Sequence, residues 1–344
     1  MSTQRGLKKF LAGIIGVAVI GAVFYGASHS DQAQSGGQSA AASSDGLFPI
    51  KTWSQTDCSS TPWVVADQKG FFAEEGLKVV YTGDTQPAQQ IPSVINGDND
   101  VGGGTHPNTL AVAINGGAKI KAVVAGGIDP APDLDPKLRH MAWYVTPESG
   151  IKSFKDLNNI QGKVKFSTIT TNICADFLAN NIADRNNVSR DKIEWVSMPD
   201  IQAVQSVKQG LVTVAGVHPP YYKSMEDAGM IKIADSFDAG LGPEAGVSYY
   251  YFSEDFIKQH PDVVKKFSKA MVKAEKWSND NPEEARLLTE NWIHVPVSAT
   301  HYYYTSTDLN PRLIDPWIKD LENNKVIPAG KIKAEDLLAL NLVQ

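Results

Sequence analysis

Residues 95–107 read INGDNDVGGGTHP, and residues 208–219 follow the same plan as KQGLVTVAGVHP. In each stretch a helical pattern ends at a glycine turn, a short strand-like segment follows, and the tetrapeptide G-x-H-P leads into another helical pattern. Loops that lead from strands into helices form the ligand-binding edge of open α/β sheets. The two stretches therefore predict equivalent positions in two similar lobes, with His106 and His218 on opposite walls of one cleft. Two chance occurrences are the alternative interpretation, because proline commonly opens helices.

From Leu47 onward short apolar runs alternate with helical patterns, which favours parallel sheets covered by helices on both faces. After about Phe252 the pattern becomes helical, since apolar residues recur every three or four positions between Pro261 and Trp277. These patterns predict an α/β body with a C-terminal helical tail. The predicted strands are residues 77–81, 120–125, 141–145, 164–167, 193–196 and 211–215, and a helix is predicted over residues 62–75.

The first 28 residues differ from the rest of the chain. Three basic residues precede an uncharged run of 19 residues, Phe10 to Ser28, which is typical of an export signal or an uncleaved membrane anchor. Residues 29–46 contain no large apolar side chain and predict a flexible tether. The sequence therefore predicts a periplasmic or otherwise extracytoplasmic protein, either released or anchored to the cytoplasmic membrane.

Composition excludes several classes of protein. The formal net charge is −6 and no long basic run occurs, which disfavours a nucleic-acid partner. The two cysteines, Cys58 and Cys174, are too few for a disulfide scaffold. No G-x-S-x-G elbow or Ser-His-Asp spacing indicates a hydrolase.

Three further segments carry a resemblance to a known family. They are TPWVVA with KGFFAEEGLKV at residues 61–66 and 69–79, VINGDNDVG at residues 94–102, and SGIKSFKDL at residues 149–157. In order and spacing they resemble the periplasmic substrate-binding proteins of ABC importers for nitrate, sulfonates, taurine, bicarbonate and thiamine-precursor pyrimidines. The resemblance covers roughly residues 52–253. The second G-x-H-P loop departs from the family pattern, which often has an acidic and an aromatic residue before the proline.

The resemblance implies a type II-like periplasmic-binding-protein fold, in which two α/β lobes close on a ligand about a hinge. Residues 47–145 with about 246–344 would form lobe one and the C-terminal helices, and residues 146–245 would form lobe two. The implied protein is a monomeric solute-binding component of an ABC importer. It would deliver a small molecule, such as a sulfonate, nitrate or carboxylate, to a membrane permease, without catalysis and without a cofactor.

Ligand contacts are expected at the loops that enter helices in each lobe. Tryptophans would supply apolar walls, and hydroxyls and backbone N–H groups at helix starts would hold an anion. Simple helix capping is the alternative for the hydroxyl residues. The expected ligand-binding residues are Trp53, Ser59, Ser60, Trp63, Thr105, His106, Thr170, Thr171, Asn172, His218 and Tyr221.

Cysteine and histidine in the same loops leave other functions open. Cys58, His106, Cys174 and His218 would suit zinc or copper, so a binder of a metal or metal chelate is one alternative. Cys174 would equally fit a buried helix position. A disulfide with Cys58 is disfavoured, although an oxidising compartment permits one, because a bridge between the lobes would hinder hinge motion. A ligand-sensing module for a membrane partner is another alternative. An enzyme like the thiamine-pyrimidine synthases is disfavoured, because their cysteine-rich iron motif is missing here.

Overall fold

The computed structural model describes residues 46–56 and 60–342. The predicted export segment and residues 29–45 of the predicted tether lie outside these residues, as do Cys58 and Ser59. Within the described part of the chain, no helix combines the length and the apolar character that a membrane crossing requires.

Twelve strands are present in the described residues: β1 Phe48–Thr52, β2 Leu77–Tyr81, β3 Val101–Thr105, β4 Ile120–Ala125, β5 Gly127–Ile128, β6 Ala142–Val145, β7 Val164–Thr168, β8 Ile193–Ser197, β9 Ala215–Val217, β10 Ile231–Asp235, β11 Tyr249–Ser253 and β12 Tyr302–Tyr303. The α-helices there are α1 Ser60–Gln68, α2 Phe71–Glu74, α3 Pro87–Asn96, α4 Pro107–Asn115, α5 Cys174–Arg185, α6 Asp200–Lys208, α7 Tyr222–Asp227, α8 Glu254–Gln259, α9 Pro261–Asp280, α10 Pro282–Ile293, α11 Asp315–Asn323 and α12 Ala334–Leu337. Short 3₁₀ helices connect many of these elements.

The first sheet has β11 at its centre, antiparallel to both β3 and β4. The parallel pair β1–β2 continues it, because the N–H of Asp100 donates to the carbonyl of Lys51 at the end of β1. The glycines of β3 are required by close packing: a Cβ atom on Gly103 would lie 2.5 Å from the ring of Tyr250. The strand order is therefore β2-β1-β3-β11-β4.

The second sheet repeats this plan. β6 lies between β9 and β10 and is antiparallel to both. The parallel pair β7–β8 joins β9 through the N–H of Ser167, which donates to the carbonyl of Val214. The order is β8-β7-β9-β6-β10, so each sheet receives one antiparallel strand from a segment where the chain crosses between sheets. The α/β fold predicted from the sequence, with its C-terminal helices, is confirmed.

Several element boundaries differ from the sequence prediction. The strand expected at residues 211–215 begins only at Ala215, as β9. Thr213 and Val214 form an irregular connection before it, because both donate their N–H groups to the same carbonyl, that of Lys165. The helix expected over residues 62–75 ends and restarts around Gly70, whose φ of 77° is left-handed. The lobe boundaries stay a prediction. One observation bears on them: β6, residues 142–145, was predicted for lobe one, but it pairs with β9 and β10 in the second sheet.

Helix α9 covers the outer face of the first sheet. Phe267 packs against the ring of Phe72 with centroids 5.9 Å apart, and Met271 and Ala274 extend the same buried face. Glu275 interrupts this face. It is fully buried, and its two carboxylate oxygens have no hydrogen-bond partner among the described residues. Burial therefore raises the pKa of Glu275 well above its usual range.

Replacement of Glu275 by glutamine is expected to stabilise the fold increasingly as pH rises. The unfolded chain loses the Glu275 proton above about pH 4.5 while the folded chain keeps it, so folding stability falls from there up to the folded-state pKa. Glu275→Gln removes this loss, worth up to about 1.4 kcal/mol per pH unit. Urea unfolding at pH 5 and pH 8 measures the difference. Glu335→Gln, at an exposed glutamate, is the control, and an equal gain for Glu275→Gln at both pH values would contradict the expectation.

Candidate functional site

Two adjoining cavities lie between the two sheets. The first, named here the deep pocket, has a volume of about 330 Å³ and lies between α3 and α4 on one side and residues 169–174 on the other. The second, the side pocket, has a volume of about 280 Å³ and includes Trp53 and Tyr221 in its lining. The two share Pro87, Gln90, Ile169 and His218, so they form one continuous cleft.

The structure brings most of the predicted ligand residues to this cleft. The deep pocket is lined by Thr105, His106, Thr170, Thr171 and His218, and the side pocket by Trp53, His218 and Tyr221. Asn172 lines neither pocket. Its φ is 58°, and its carbonyl accepts a hydrogen bond of 3.0 Å from the Thr109 hydroxyl.

Trp63 does not form the apolar wall that the sequence suggested. It is fully buried on α1, with its ring 5.4 Å from that of Phe267 and 5.6 Å from that of Phe72. Ser60 is also buried and lines neither pocket. Both residues lie on a helix whose apolar face packs against α9, so Trp63 is part of the core of the first sheet. The placement of Ser59 lies outside the described residues.

Four histidines meet below the floor of the cleft, and two of them, His106 and His218, line it. The ring of His140 lies 4.9 Å from that of His106, 5.2 Å from that of His218 and 4.8 Å from that of His301, measured between centroids. All four are at most 5% exposed. Burial, reinforced by the neighbouring imidazoles, lowers the pKa values of His140 and His301 well below their usual range, so both rings are neutral at pH 7. We call this group the histidine cluster.

His140 and His301 were not predicted from the sequence. His140 lies on the segment that crosses into the second sheet, where its N–H donates to Asp129 at 2.9 Å and to Ser236 at 3.0 Å. His301 immediately precedes β12, which pairs with β5. Neither histidine belongs to a repeated motif, so only the course of the chain shows that they join the cluster.

Cys174, the first residue of α5, completes the cluster. Its sulfur lies 3.2 Å from Nε2 of His218, and Nδ1 of His218 donates to Asp200 at 2.6 Å. Nδ1 of His106 donates to the carbonyl of Val247 at 2.8 Å. Burial raises the pKa of the Cys174 thiol, but His106 and His218 outweigh burial and lower the pKa to about 6. The site therefore combines a buried thiolate with imidazoles whose orientation is fixed.

The electrostatic character of the cleft is set by neutral donors and by acids. Among the described residues that line the two pockets there is no lysine or arginine, and the side pocket includes Asp84 and Asp200. The start of α5 is occupied by Asp176, whose carboxylate accepts hydrogen bonds from the N–H groups of Asn172, Ile173 and Phe177. An anion in the deep pocket would therefore depend on the start of α4, on hydroxyls and on imidazoles.

Comparison with known proteins identifies the family. The family model described as "NMT1/THI5 like" matches residues 57–285. The chain belongs to the NMT1/THI5-like family. This confirms the resemblance deduced from the sequence motifs. A search of curated proteins gave no match to the sequence.

Solved structures share the fold at low sequence identity. The periplasmic aliphatic sulphonate-binding protein SsuA of Escherichia coli matches with 15% identity, 85% of this chain and 92% of that chain covered, and a TM-score of 0.63. The periplasmic nitrate-binding protein NrtA of Synechocystis PCC 6803 matches with 13% identity, 86% and 87% coverage, and a TM-score of 0.67. An enzyme also matches: the desulfurization enzyme DszB gives 13% identity, 86% and 97% coverage, and a TM-score of 0.57.

The thiol of Cys174 is expected to titrate near pH 6 in metal-free protein. Thiolate absorbance in the ultraviolet, followed between pH 4 and pH 10 in a Cys58→Ser background, measures this. His218→Asn in the same background should move the midpoint upward, because the substitution removes an imidazole that lowers the Cys174 pKa. The double variant Cys58→Ser, Cys174→Ser should show no step. A midpoint near the usual value of 9.0 would rule out the arrangement described here.

Proposed function

We propose that this protein is the extracytoplasmic solute-binding component of an ABC importer. It captures a small molecule in the cleft and delivers it to a permease in the cytoplasmic membrane. The observation that carries the proposal is the continuous cleft between two sheets of the same strand plan, in a chain of the NMT1/THI5-like family. The sulphonate- and nitrate-binding proteins that share the fold support it, as does the export-like N-terminal sequence.

Closure of the cleft uses a few polar contacts. Nδ2 of Asn108 and the hydroxyl of Thr109, both on α4, donate to the carbonyls of Ile173 and Asn172 at 2.9 and 3.0 Å. The hydroxyl of Tyr221 donates to the carbonyl of Thr56 at 3.1 Å. Each such bond contributes only about 1 kcal/mol net. A solute that contacts both sides adds to these bonds and so favours the closed arrangement.

The composition of the deep pocket favours a solute with an apolar body and a polar head. Ile91, Val112, Ile169 and Ile173 supply apolar lining, while Thr105 and the histidines lie toward the floor. A small anion is the class that the family resemblance implies. We therefore propose an alkyl or aryl sulfonate or carboxylate rather than nitrate. The carboxylates of Asp84 and Asp200 would repel an anionic head from the side pocket.

A thermal-shift screen tests the proposal. The panel contains alkyl and aryl sulfonates, carboxylates, nitrate, bicarbonate and pyrimidines. A ligand at 100 times its dissociation constant stabilises the folded state by about 2.7 kcal/mol, which raises the melting temperature by several degrees. Solute-binding function is contradicted when no class of small molecule shifts the melting temperature. If nitrate alone raises the melting temperature, only the proposal that the solute has an apolar body is contradicted.

Filling the deep pocket is expected to abolish solute binding. Ala113 lies on α4 and lines the pocket, so Ala113→Phe puts an aromatic ring into the cavity. Ala73→Phe makes the same change on the exposed face of α2 and serves as the matched control. Calorimetric titration with the best ligand of the screen should show at least a 100-fold loss of affinity for Ala113→Phe alone. Equal affinities for both variants would place the solute elsewhere.

A cysteine-dependent enzyme is the second candidate function. The distances of 3.2 Å from Cys174 Sγ to His218 Nε2 and 2.6 Å from His218 Nδ1 to Asp200 place a nucleophile, a base and an orienting acid in line. Mass spectrometry of solute recovered after prolonged incubation separates the two functions. Unaltered solute supports the binding protein, whereas turnover by the natural chain that is lost in Cys174→Ser supports the enzyme.

A further inference from the structure

The histidine cluster contains more nitrogen donors than the protein itself satisfies. His140 and His301 are 1% and 2% exposed, and Nε2 of each has no hydrogen-bond partner among the described residues. Their Nδ1 atoms face each other at 3.2 Å, so the two Nε2 atoms are the ones left over. An unpaired polar atom at this depth costs folding free energy, and a bound group at Nε2 of His140 would remove that cost.

The donor atoms of the cluster converge as in a coordination site. One ligand atom from each of His106, His140 and Cys174 lies within 4.8 Å of the others. Nε2 of His218 lies 3.2 Å from the same sulfur. In a tetrahedral zinc site, with Zn–S near 2.3 Å and Zn–N near 2.0 Å, ligand atoms are about 3.3–3.6 Å apart. Side-chain adjustments of about 1 Å would therefore bring the ligand atoms of His106, His140 and Cys174 to these spacings, and His218 Nε2 already lies at such a distance from the sulfur.

Two of the imidazoles already have the supporting contacts of metal ligands. Nδ1 of His218 donates to the Asp200 carboxylate, and Nδ1 of His106 donates to the Val247 carbonyl. A hydrogen bond from Nδ1 fixes the ring and the tautomer, and it leaves the Nε2 lone pair directed at the ion. Nε2 of His218 lies 3.2 Å from the sulfur of Cys174, which also hydrogen-bonds to His106.

We propose that His106, His140, His218 and Cys174 form a binding site for a transition-metal ion, Zn²⁺ or Cu⁺, at the floor of the deep pocket. Three imidazoles and one thiolate select these ions over Mg²⁺ and Ca²⁺, which take oxygen ligands. His106, Cys174 and His218 line the deep pocket, so the ion enters from the cleft. The site goes beyond the proposed importer function, which requires no metal.

The test titrates Co²⁺, as a spectroscopic substitute for Zn²⁺, into the full chain after treatment with a chelator. One equivalent should bind and give a thiolate-to-cobalt charge-transfer band, with visible bands of tetrahedral intensity that added Zn²⁺ abolishes. Metal is used without any organic solute, so failure here leaves the importer proposal standing. Absence of these bands at equimolar cobalt overturns the site.

Variants assign the ligands. Cys174→Ser should lose the charge-transfer band, while Cys58→Ser should keep it. His140→Gln should weaken cobalt binding at least 100-fold, and Asp200→Asn, which leaves every ligand in place, about 10- to 100-fold. His294→Asn is the matched control, because His294 is exposed outside the cluster and its φ of 57° suits asparagine. A band retained in Cys174→Ser but lost in Cys58→Ser overturns the assignment.

Protection of the thiol provides a measurement that does not depend on a folded Cys174→Ser variant. In the Cys58→Ser protein, Zn²⁺ should slow alkylation of Cys174 at least tenfold, and removal of the ion by a chelator should restore the rate. Alkylation at the same rate with and without Zn²⁺ overturns the proposal.

Discussion

The return of the chain to the first sheet is the constraint on which the rest of the structure depends. β11 follows the whole second sheet in sequence, yet it pairs with both β3 and β4 at the centre of the first. The residues just before it reach the floor of the cleft, where the carbonyl of Val247 orients His106 and the hydroxyl of Ser248 accepts the N–H of Gly127. A single segment thus completes one sheet, forms one crossing between the sheets and supports the candidate site.

The two crossing segments are held to each other by polar contacts, in contrast to the apolar cores of the sheets. Asp129 accepts the N–H of His140 and the hydroxyl of Ser236, and it lies 3.4 Å from the guanidinium of Arg139. Burial raises the pKa of Asp129, while these hydrogen bonds and Arg139 act against the increase. Such a network is costly to desolvate, but its directional bonds fix one relative position of the segments. The histidine cluster is built on this junction.

Local sequence patterns predicted the strands, helix starts and loops whose formation depends on neighbouring residues in the chain. The strands at residues 77–81 and 120–125 have the predicted bounds, and α9 begins at Pro261, where proline suits the first helical turn. The duplicated G-x-H-P loop brought His106 and His218 to one cleft, because loops after strands lie at the same edge of a sheet.

What the sequence did not predict depends on contacts between distant segments. In the sequence, Trp63 suits an apolar wall of a ligand site. Only the packing of α9 against α1 shows that its side chain belongs to the hydrophobic core beside the first sheet. His140 and His301 are isolated histidines, 161 positions apart, and they meet only because of the course of the crossings. In the sequence, Asp176 resembles any acidic residue in the first turn of a helix. Only the structure shows that its carboxylate accepts the N–H groups that a bound anion would otherwise use.

The contacts that close the cleft at α4 use backbone acceptors. Asn108 and Thr109 donate to the carbonyls of residues 173 and 172, so the side chains of the facing loop take no part in these bonds. Thr170 and Thr171 line the deep pocket. Substitution at these two positions would change which solute fits while the closing bonds stay in place. Recognition and closure are therefore separable properties of this loop, and new ligand specificities are accessible by point mutation without a new closing mechanism.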